Sequence, residues 1–259
     1  MSELEANPQK SSGALAAQLR ALTPARVGLG RTGVSLETRE LLDFQRAHAQ
    51  ARDAVHSRLD AAALAVELER ATRLEVLRLR SSCADRTTYL QRPDLGRRLD
   101  EDSRMRLAAR DNESTCDLAV IVADGLSALA VERHAVPLLV ELLPQLNGWA
   151  VGPIVVVEHG RVAIGDEVGQ ALNTQISVVL IGERPGLSSP DSLGAYITWE
   201  PRSGRNDAER NCISNIRAEG LGYKQAAGQL RSYLAEARRR RLTGTALKLE
   251  SGTERSIGK

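Results

Sequence analysis

The stretch that decides the fold is a short apolar run followed by a charged, proline-containing segment, Ile176-Ser177-Val178-Val179-Leu180-Ile181-Gly182-Glu183-Arg184-Pro185-Gly186-Leu187-Ser188-Ser189-Pro190-Asp191-Ser192-Leu193. The run at 176–181 is rich in β-branched residues and predicts a strand buried on both faces. Glu183 and Arg184 follow directly where this strand ends. Because ligands bind at the carboxyl ends of strands in an open α/β sheet, a binding site is expected there.

Apolar runs of the same kind alternate with helical patterns through the middle of the chain. Strands are predicted at 74–80, 117–123, 153–157, 176–181 and 195–199, and helices at 101–110, from 128 onward and at 166–172. Ser127 is expected to cap the helix that begins at Ala128, and Pro137 is expected to kink or restart it. Strands separated by helices imply parallel pairing, so the pattern predicts an α/β fold with a mostly parallel sheet.

The chain divides by composition into four parts. They are a loose N-terminal segment at 1–20, a helical segment at 21–72, the alternating strands and helices at 73–246, and a flexible tail at 247–259. Residues 1–20 are polar and Ala-rich, which is typical of a poorly ordered terminus. Ser35 and Asp60 are expected to cap two helices of the second part. A long final helix is expected to end at Gly244.

Composition excludes several classes of function. The 259 residues carry a formal net charge of +2, which is too small to indicate a nucleic-acid-binding protein. No apolar run is long enough to span a membrane, and the N-terminus lacks the apolar centre of a signal peptide. The three cysteines are odd in number and share no C-x-x-C spacing, which favours reduced thiols in a cytoplasmic protein.

A glycine-rich tract near the N-terminus, Gly28-Leu29-Gly30-Arg31-Thr32-Gly33, matches the dinucleotide-binding pattern G-x-G-x-x-G by letter. That mechanism needs a strand before the glycines, so that the pyrophosphate reaches a helix N-terminus. The residues at 24–27 make a poor strand, and Asp53, at the spacing of the ribose-binding acid, falls within a predicted helix. A structural turn is favoured, with a partner contact as the alternative.

Three further tracts follow predicted strands or lie between elements, at 124–127, 159–162 and 210–217. Asp124 or Ser127 can cap a helix, and either is compatible with a ligand role. Gly160 would let a ligand approach the backbone, although a tight turn with Arg161 in water explains the same residues. The tract at 210–217 is polar, lies outside any clear helix or strand, and contains Cys212, for which no base is placed nearby.

No complete catalytic set is visible in these tracts, because the four histidines are scattered and no carboxylate pair has assigned acid and base roles. The basic turn at 92–98 is equally compatible with a solvated loop and with an anion or partner contact. The residues alone therefore leave open a binding module, half of a shared enzyme site, a stand-alone nucleotide-binding α/β protein, or a scaffold module.

The ordered set of tracts resembles the small (light) subunit of adenosylcobalamin-dependent ethanolamine ammonia-lyase. The resemblance covers residues 25–246 and is carried by the tracts at 28–33, 89–98, 124–127, 160–162, 182–187 and 212–216. It implies a Rossmann-like α/β domain, with flanking helices, preceded by an N-terminal helical segment, and it makes 73–246 the cobalamin-binding domain. Any single tract would be a weak signal, whereas their order along nearly the whole chain is specific.

The resemblance also implies a division of labour between two subunits. The family's enzyme converts ethanolamine to acetaldehyde and ammonia by radical chemistry that begins with cobalt–carbon homolysis. Ethanolamine and the radical steps belong to a barrel-shaped large subunit, and adenosylcobalamin is held where the two subunits meet. This division explains why no catalytic set is visible here, since the expected role of this chain is to bind and orient the cofactor.

Family cofactor contacts fall on Val162, Glu183 and Cys212, with Arg161 as a weaker neighbour. The resemblance implies backbone and apolar contacts from Val162, hydrogen bonds from corrin amides to Glu183, and packing of Cys212 against the corrin edge. The chain lacks the Asp-x-His-x-x-Gly motif that places a histidine on cobalt, so no metal ligand is expected. Its N-terminus is short beside family members whose extensions direct the enzyme into a bacterial microcompartment, which leaves that delivery open.

Overall fold

The computed structural model describes residues 8–23, 25–110 and 115–248, and it places a mixed six-stranded sheet between helices. Shorter elements precede the sheet in the N-terminal part of the chain. In chain order the described elements are α1 (Pro8–Leu22), β1 (Arg31–Thr32), β2 (Ser35–Leu36), α2 (Thr38–His56), α3 (Ala61–Thr72), β3 (Val76–Arg80), α4 (Arg86–Gln91), α5 (Glu101–Ala108), β4 (Leu118–Ala123), α6 (Ala128–Leu142), β5 (Val151–Glu158), α7 (Ile164–Ala171), β6 (Ile176–Gly182), β7 (Leu193–Trp199), β8 (Arg210–Ile216) and α8 (Tyr223–Arg240).

The sheet has the strand order β3-β5-β4-β6-β7-β8, so β4 lies between the two strands that follow it in sequence. The chain leaves β4 through α6 to reach β5 on one side, and leaves β5 through α7 to reach β6 on the other. A reversal of this kind creates a crevice at the carboxyl ends of the strands, which is where open α/β sheets bind ligands. The α/β prediction is confirmed, and the Rossmann-like description fits loosely.

Alternation along the central strands divides the core into two layers. Val120 and Val122 of β4 face one layer, formed with α3, α6 and α8, which we call the three-helix face. Ile121 and Ala123 face the other layer, formed with α5 and α7, which we call the α7 face. Because both faces are buried, all six residues of β4 are apolar, as is typical of a central parallel strand.

The far edge of the sheet is antiparallel, and one prediction about it is wrong. The strand predicted at 195–199 lies antiparallel to β6, because a loop and not a crossover helix connects the two. The polar tract at 210–217 forms the edge strand β8, antiparallel to β7. Its polarity arises because Cys212 and Ser214 are exposed on one face while Ile213 packs into the three-helix core on the other.

Two local predictions also need correction. Ser35 does not cap a helix, since it lies in the hairpin strand β2 and Glu37 precedes α2. Pro137 lies inside α6, which continues through it. The packing of α6 against the sheet and α8 offsets the helical hydrogen bond that proline removes. Asp60 and Ser127 do cap α3 and α6, as predicted.

The predicted boundaries of the outer parts of the chain fall at the following places in the structure. The boundary at residue 20 falls within α1, and residues 1–7 and 249–259 lie outside the described residues. Leu247, placed in the tail, is buried in the three-helix core. None of the described helices combines the length and the apolar character needed to cross a membrane.

Candidate functional site

An open cleft of about 440 Å³ lies at the carboxyl ends of β4, β5 and β6. We call it the strand-end cleft. The sequence predicts a binding site at this place, where the strand at 176–181 ends. Residues of both crossover connections, from β4 to β5 and from β5 to β6, line the cleft. Its lining residues are Tyr89, Gly125, Leu126, Arg161, Val162, Ile181, Gly182, Glu183, Arg184 and Tyr196.

Two glycines form the floor where β4 and β6 end. Gly125 has a φ of +56°, which L-residues with side chains adopt only under strain. A Cβ on Gly125 would lie 2.3 Å from the carbonyl oxygen of Gly182. The backbones are this close because the N–H of Leu126 donates to that carbonyl oxygen at 2.9 Å. Glycine at both positions therefore lets the floor close without a side chain between the strands.

One wall is an aromatic ring between two guanidinium groups. The Tyr89 ring lies 4.1 Å from the guanidinium carbon of Arg161 and 4.8 Å from that of Arg86. Arg161 also donates from Nη2 to the carbonyl oxygen of Tyr89 at 3.0 Å. Burial raises the pKa of Tyr89 far above its ordinary value, so its hydroxyl remains protonated. Arg161 is thus a packed, half-buried side chain and not one extended into water.

Asp124 lies beneath the cleft at the centre of a buried polar network. Its carboxylate is 3.3 Å from Nη1 of Arg86 and 3.1 Å from Nδ1 of His159, and it accepts from the N–H of Gly160 at 3.2 Å. Arg86 in turn donates to the carbonyl oxygens of Gly125 and Val55. Asp124 is fully buried, so it supports the floor and does not face a ligand.

Glu183 extends from the end of β6 across the start of β7. Its Oε2 accepts hydrogen bonds from the hydroxyl of Ser192 and, at 3.1 Å, from the N–H of Asn215. A Cβ on Gly194 would lie 3.0 Å from Oε1 of Glu183, so glycine leaves room for the carboxylate over β7. No described group donates a hydrogen bond to Oε1, and this oxygen is available to a ligand.

Tyr196 and Cys212 are cross-strand partners below Glu183 on the same face of the sheet. Desolvation and the negative charge of Glu183 raise the pKa of the Cys212 thiol, although its contact with Tyr196 lowers it in part. A thiol with a raised pKa is a poor nucleophile and a poor metal ligand. Among the described residues, no three His, Cys, Asp or Glu side chains come together as a metal site.

The structure brings the four predicted site residues to one region. Arg161, Val162 and Glu183 line the strand-end cleft, and Cys212 lies beside it through Tyr196. Val162 lies two residues before the start of α7, and its carbonyl oxygen accepts from the N–H of Gly165 at 3.1 Å. A Cβ on Gly160 would lie 2.9 Å from the Cβ of Ala123. The small size of this glycine therefore serves packing against β4 and not the approach of a ligand.

Sequence reasoning missed the aromatic part of the cleft and its support. Tyr196 could have been found, because it is a polar aromatic residue inside a predicted apolar strand of a chain with few aromatic residues. Tyr89 had no signal beyond its place as the first residue of the tract at 89–98. Arg86 carries no local signal, because its partners Val55 and Gly125 lie 31 and 39 residues away.

Two motifs lie outside the cleft. The tract at 28–33 leads into the β1–β2 hairpin, with Gly33 at a φ of +66° in the turn, and among the described residues the element before these glycines is helix α1 and not a strand. The structure therefore lacks the geometry of a dinucleotide site at these glycines. In the basic turn, Arg92 and Asp94 form an exposed ion pair with a nitrogen–oxygen distance of 2.7 Å.

Comparisons with known proteins identify the family. The family model described as ethanolamine ammonia-lyase light chain (EutC) matches residues 14–248. An ethanolamine ammonia-lyase small subunit of Pseudomonas aeruginosa (strain LESB58) is 59% identical over 237 residues, covering 90% of this chain and 86% of the relative. The protein with the same description from Pseudomonas syringae pv. tomato is 56% identical over 238 residues, covering 90% and 83%. The chain therefore belongs to the ethanolamine ammonia-lyase light-chain family.

Proposed function

We propose that this chain is the cofactor-binding subunit of an ethanolamine ammonia-lyase. Together with a large subunit it binds adenosylcobalamin for the deamination of ethanolamine to acetaldehyde and ammonia, and the large subunit binds ethanolamine. The observation that carries the proposal is the strand-end cleft. It gathers Val162 and Glu183 beside Cys212, while no described nucleophile and base are paired there.

The cleft fits one part of a cobalamin better than a whole one. A volume of about 440 Å³ is in the range of pockets for drug-sized ligands, whereas a corrin with its side chains is much larger. The remaining surface of the cofactor would then be covered by another chain, as a shared site requires. When bound, adenosylcobalamin would supply the radical that begins the reaction.

Each predicted contact suits a neutral, amide-rich ligand. Oε1 of Glu183 can accept hydrogen bonds from amide N–H groups, and Val162 and Tyr196 offer apolar surface. Cys212 presents a protonated thiol because its pKa is raised, so it packs against a ligand edge without binding the metal. In this proposal the residues of the strand-end cleft would hold the cofactor by hydrogen bonds and packing, and none of them would serve as a metal ligand.

The test uses the chain co-purified with its large subunit and titrated with adenosylcobalamin, followed by visible absorption. We expect Glu183→Ala to weaken binding roughly 10-fold or more, since hydrogen bonds to charged groups contribute about 1.5–3 kcal/mol. Glu75→Ala is the matched control, because Glu75 pairs with Arg110 at the opposite end of the sheet. The complex that carries Glu75→Ala should bind adenosylcobalamin with the affinity of the wild type.

Ammonia release by the isolated chain would contradict the assignment of catalysis to the large subunit. Cofactor affinity that is unchanged in Glu183→Ala would remove Glu183 from the site. If the complex assembles but changes at Val162, Glu183 and Cys212 all leave cofactor retention unaltered, the scaffold alternative is the better account. Thermal stabilisation of the isolated chain by NAD would instead favour the nucleotide-binding alternative.

A further inference from the structure

The loop between β6 and β7 is anchored on helix α6. At its base, the N–H of Glu183 donates to the carbonyl oxygen of Ser192 at 2.9 Å. The hydroxyl of Ser127, the residue that caps α6, donates to the carbonyl oxygen of Pro190 at 2.9 Å. The returning end of this loop is thus held by the start of α6 immediately before it reaches Ser192.

Asp191 makes the strongest of these contacts. Its Oδ2 accepts from Nη1 of Arg133 at 2.8 Å and lies 3.4 Å from Nε2 of His134. Asp191 is 8% exposed and His134 is 4% exposed, whereas the Arg133 side chain is 55% exposed, so the pair is buried on the side of the aspartate only. Burial alone would raise the pKa of Asp191, but Arg133 and His134 outweigh it and lower the pKa. The carboxylate is therefore ionised at neutral pH.

His134 has a second partner that fixes its orientation. Its Nδ1 lies 2.8 Å from the hydroxyl of Tyr223, at the start of α8. If that hydroxyl donates to Nδ1, the proton of the neutral ring is on Nε2, which lies 3.4 Å from Oδ2 of Asp191 without forming a hydrogen bond. Desolvation lowers the pKa of His134, which favours this neutral form. Asp191 therefore joins the loop to α6 through Arg133, and His134 joins α6 to α8 through Tyr223.

Ser192 passes this anchoring on to Glu183. Its backbone follows Asp191 directly, and its hydroxyl donates to Oε2 of Glu183. The N–H of Asn215 donates to the same oxygen at 3.1 Å, so both hydrogen bonds hold one side of the carboxylate. A shift of Ser192 would release one of them and let the carboxylate rotate.

We propose that Asp191 is a positioning residue for Glu183, which it orients through Ser192 by fixing the end of the loop on helix α6. The inference rests on the proposed function, because Glu183 is taken as the group that meets the cofactor. Asp191 itself does not line the strand-end cleft. Its effect on a ligand therefore passes through Glu183.

The test is a double-mutant cycle on the complex with the large subunit, with adenosylcobalamin affinity measured by visible absorption. We expect Asp191→Ala to weaken binding roughly 3- to 10-fold in the wild-type background, in line with the coupling of residues in contact. In the Glu183→Ala background the same change should have almost no further effect. Asp191→Asn keeps an acceptor for Arg133 and should restore part of the affinity.

Two further variants keep the test decisive if Asp191→Ala folds poorly. Ser192→Ala leaves the Arg133–Asp191 pair intact and should weaken binding through the same coupling to Glu183. Asp94→Ala is the control. It breaks another aspartate–arginine pair, which is exposed, and this variant should bind adenosylcobalamin as the wild type does. If Asp191→Ala lowers the adenosylcobalamin affinity equally in the wild-type and the Glu183→Ala backgrounds, this inference is overturned and the proposed function is not. A wild-type complex that shows no cobalamin binding would overturn the proposed function as well.

Discussion

The two faces of the sheet differ in how far their helical cover extends. On the three-helix face α3, α6 and α8 cover the sheet from β3 to β8. On the α7 face the cover consists of α5 and α7 over the parallel strands, and Cys212 and Ser214 of β8 are exposed. The candidate site lies where that cover ends.

The connections between strands explain this difference. A parallel crossover brings a helix onto a face of the sheet, whereas an antiparallel connection can be a simple loop. The chain goes from β6 to β7 and from β7 to β8 without an α-helix, so nothing is added to the α7 face there. Antiparallel strands tolerate one open face, and here that face carries Glu183, Tyr196 and Cys212.

The largest effect is expected where α7 reaches β8 at the lower end of the open face. Arg210 forms a bidentate pair with Asp166, with both nitrogen–oxygen distances 2.6 Å and both side chains buried. Arg210→Ala should lower the free energy of unfolding by about 3–5 kcal/mol, because it leaves the Asp166 charge buried without a partner. Urea unfolding of the isolated chain, compared between the wild type and Arg210→Ala, measures this loss of unfolding free energy.

The matched control for that pair is Asp207, which lies 3.6 Å from Nε of Arg210 with a side chain 92% exposed. Asp207→Ala should change the free energy of unfolding by no more than about 1 kcal/mol. Similar losses from Arg210→Ala and Asp207→Ala would mean that the ion pair does not hold α7 to β8.

The next largest effect sharpens the comparison between the two faces. Leu139 of α6 is fully buried on the three-helix face, and Leu139→Ala should lower the free energy of unfolding by about 2–5 kcal/mol. Cys212→Ala on the open face should alter it by about 0.5 kcal/mol or less, as surface changes do. A large loss from Cys212→Ala in urea unfolding would show that the open face contributes to stability after all.

The smallest effect concerns pH. The folded pKa of His134 lies below its ordinary value, mainly because burial penalises the charged ring. Below about pH 6.5 the unfolded chain therefore binds more protons at this residue than the folded chain does, and stability falls as the pH is lowered. His134→Gln should flatten this dependence when urea midpoints are compared between pH 8 and pH 5.

The groups that face His134 allow the pH effect to be assigned. The lowered pKa of Asp191 keeps its carboxylate ionised in this range. The pKa of Tyr223 is raised, so its hydroxyl does not titrate below pH 8. The other histidines are common to both proteins. Equal slopes in the wild type and His134→Gln would show that His134 does not cause the acid sensitivity.

Local patterns were enough to predict the central elements. The apolar runs at 117–123 and 176–181 predicted β4 and β6, and both strands are buried on both faces as expected. Asp60 and Ser127 were identified as caps because the contacts of a cap lie within three residues of it. The strand-end location of the candidate site followed from these strands.

Non-local pairing explains what the patterns missed. The polar sequence of β8 suggests a loop, yet Arg210 is buried by Asp166, which lies 44 residues earlier in the chain. The direction of β7 depends on its connection to β6 and not on its own residues. Tyr89 became part of the cleft through Arg161, which lies 72 residues away.

The sequence by itself determined the α/β class, the central buried strands, two helix caps and the family, because these depend on near neighbours in the chain and on the order of its tracts. Only the tertiary structure decided that β7 and β8 turn antiparallel and leave one face open. It alone placed Glu183 over Gly194, with Ser192 and Asn215 holding one carboxylate oxygen. Those features depend on contacts between distant segments, which no local pattern encodes.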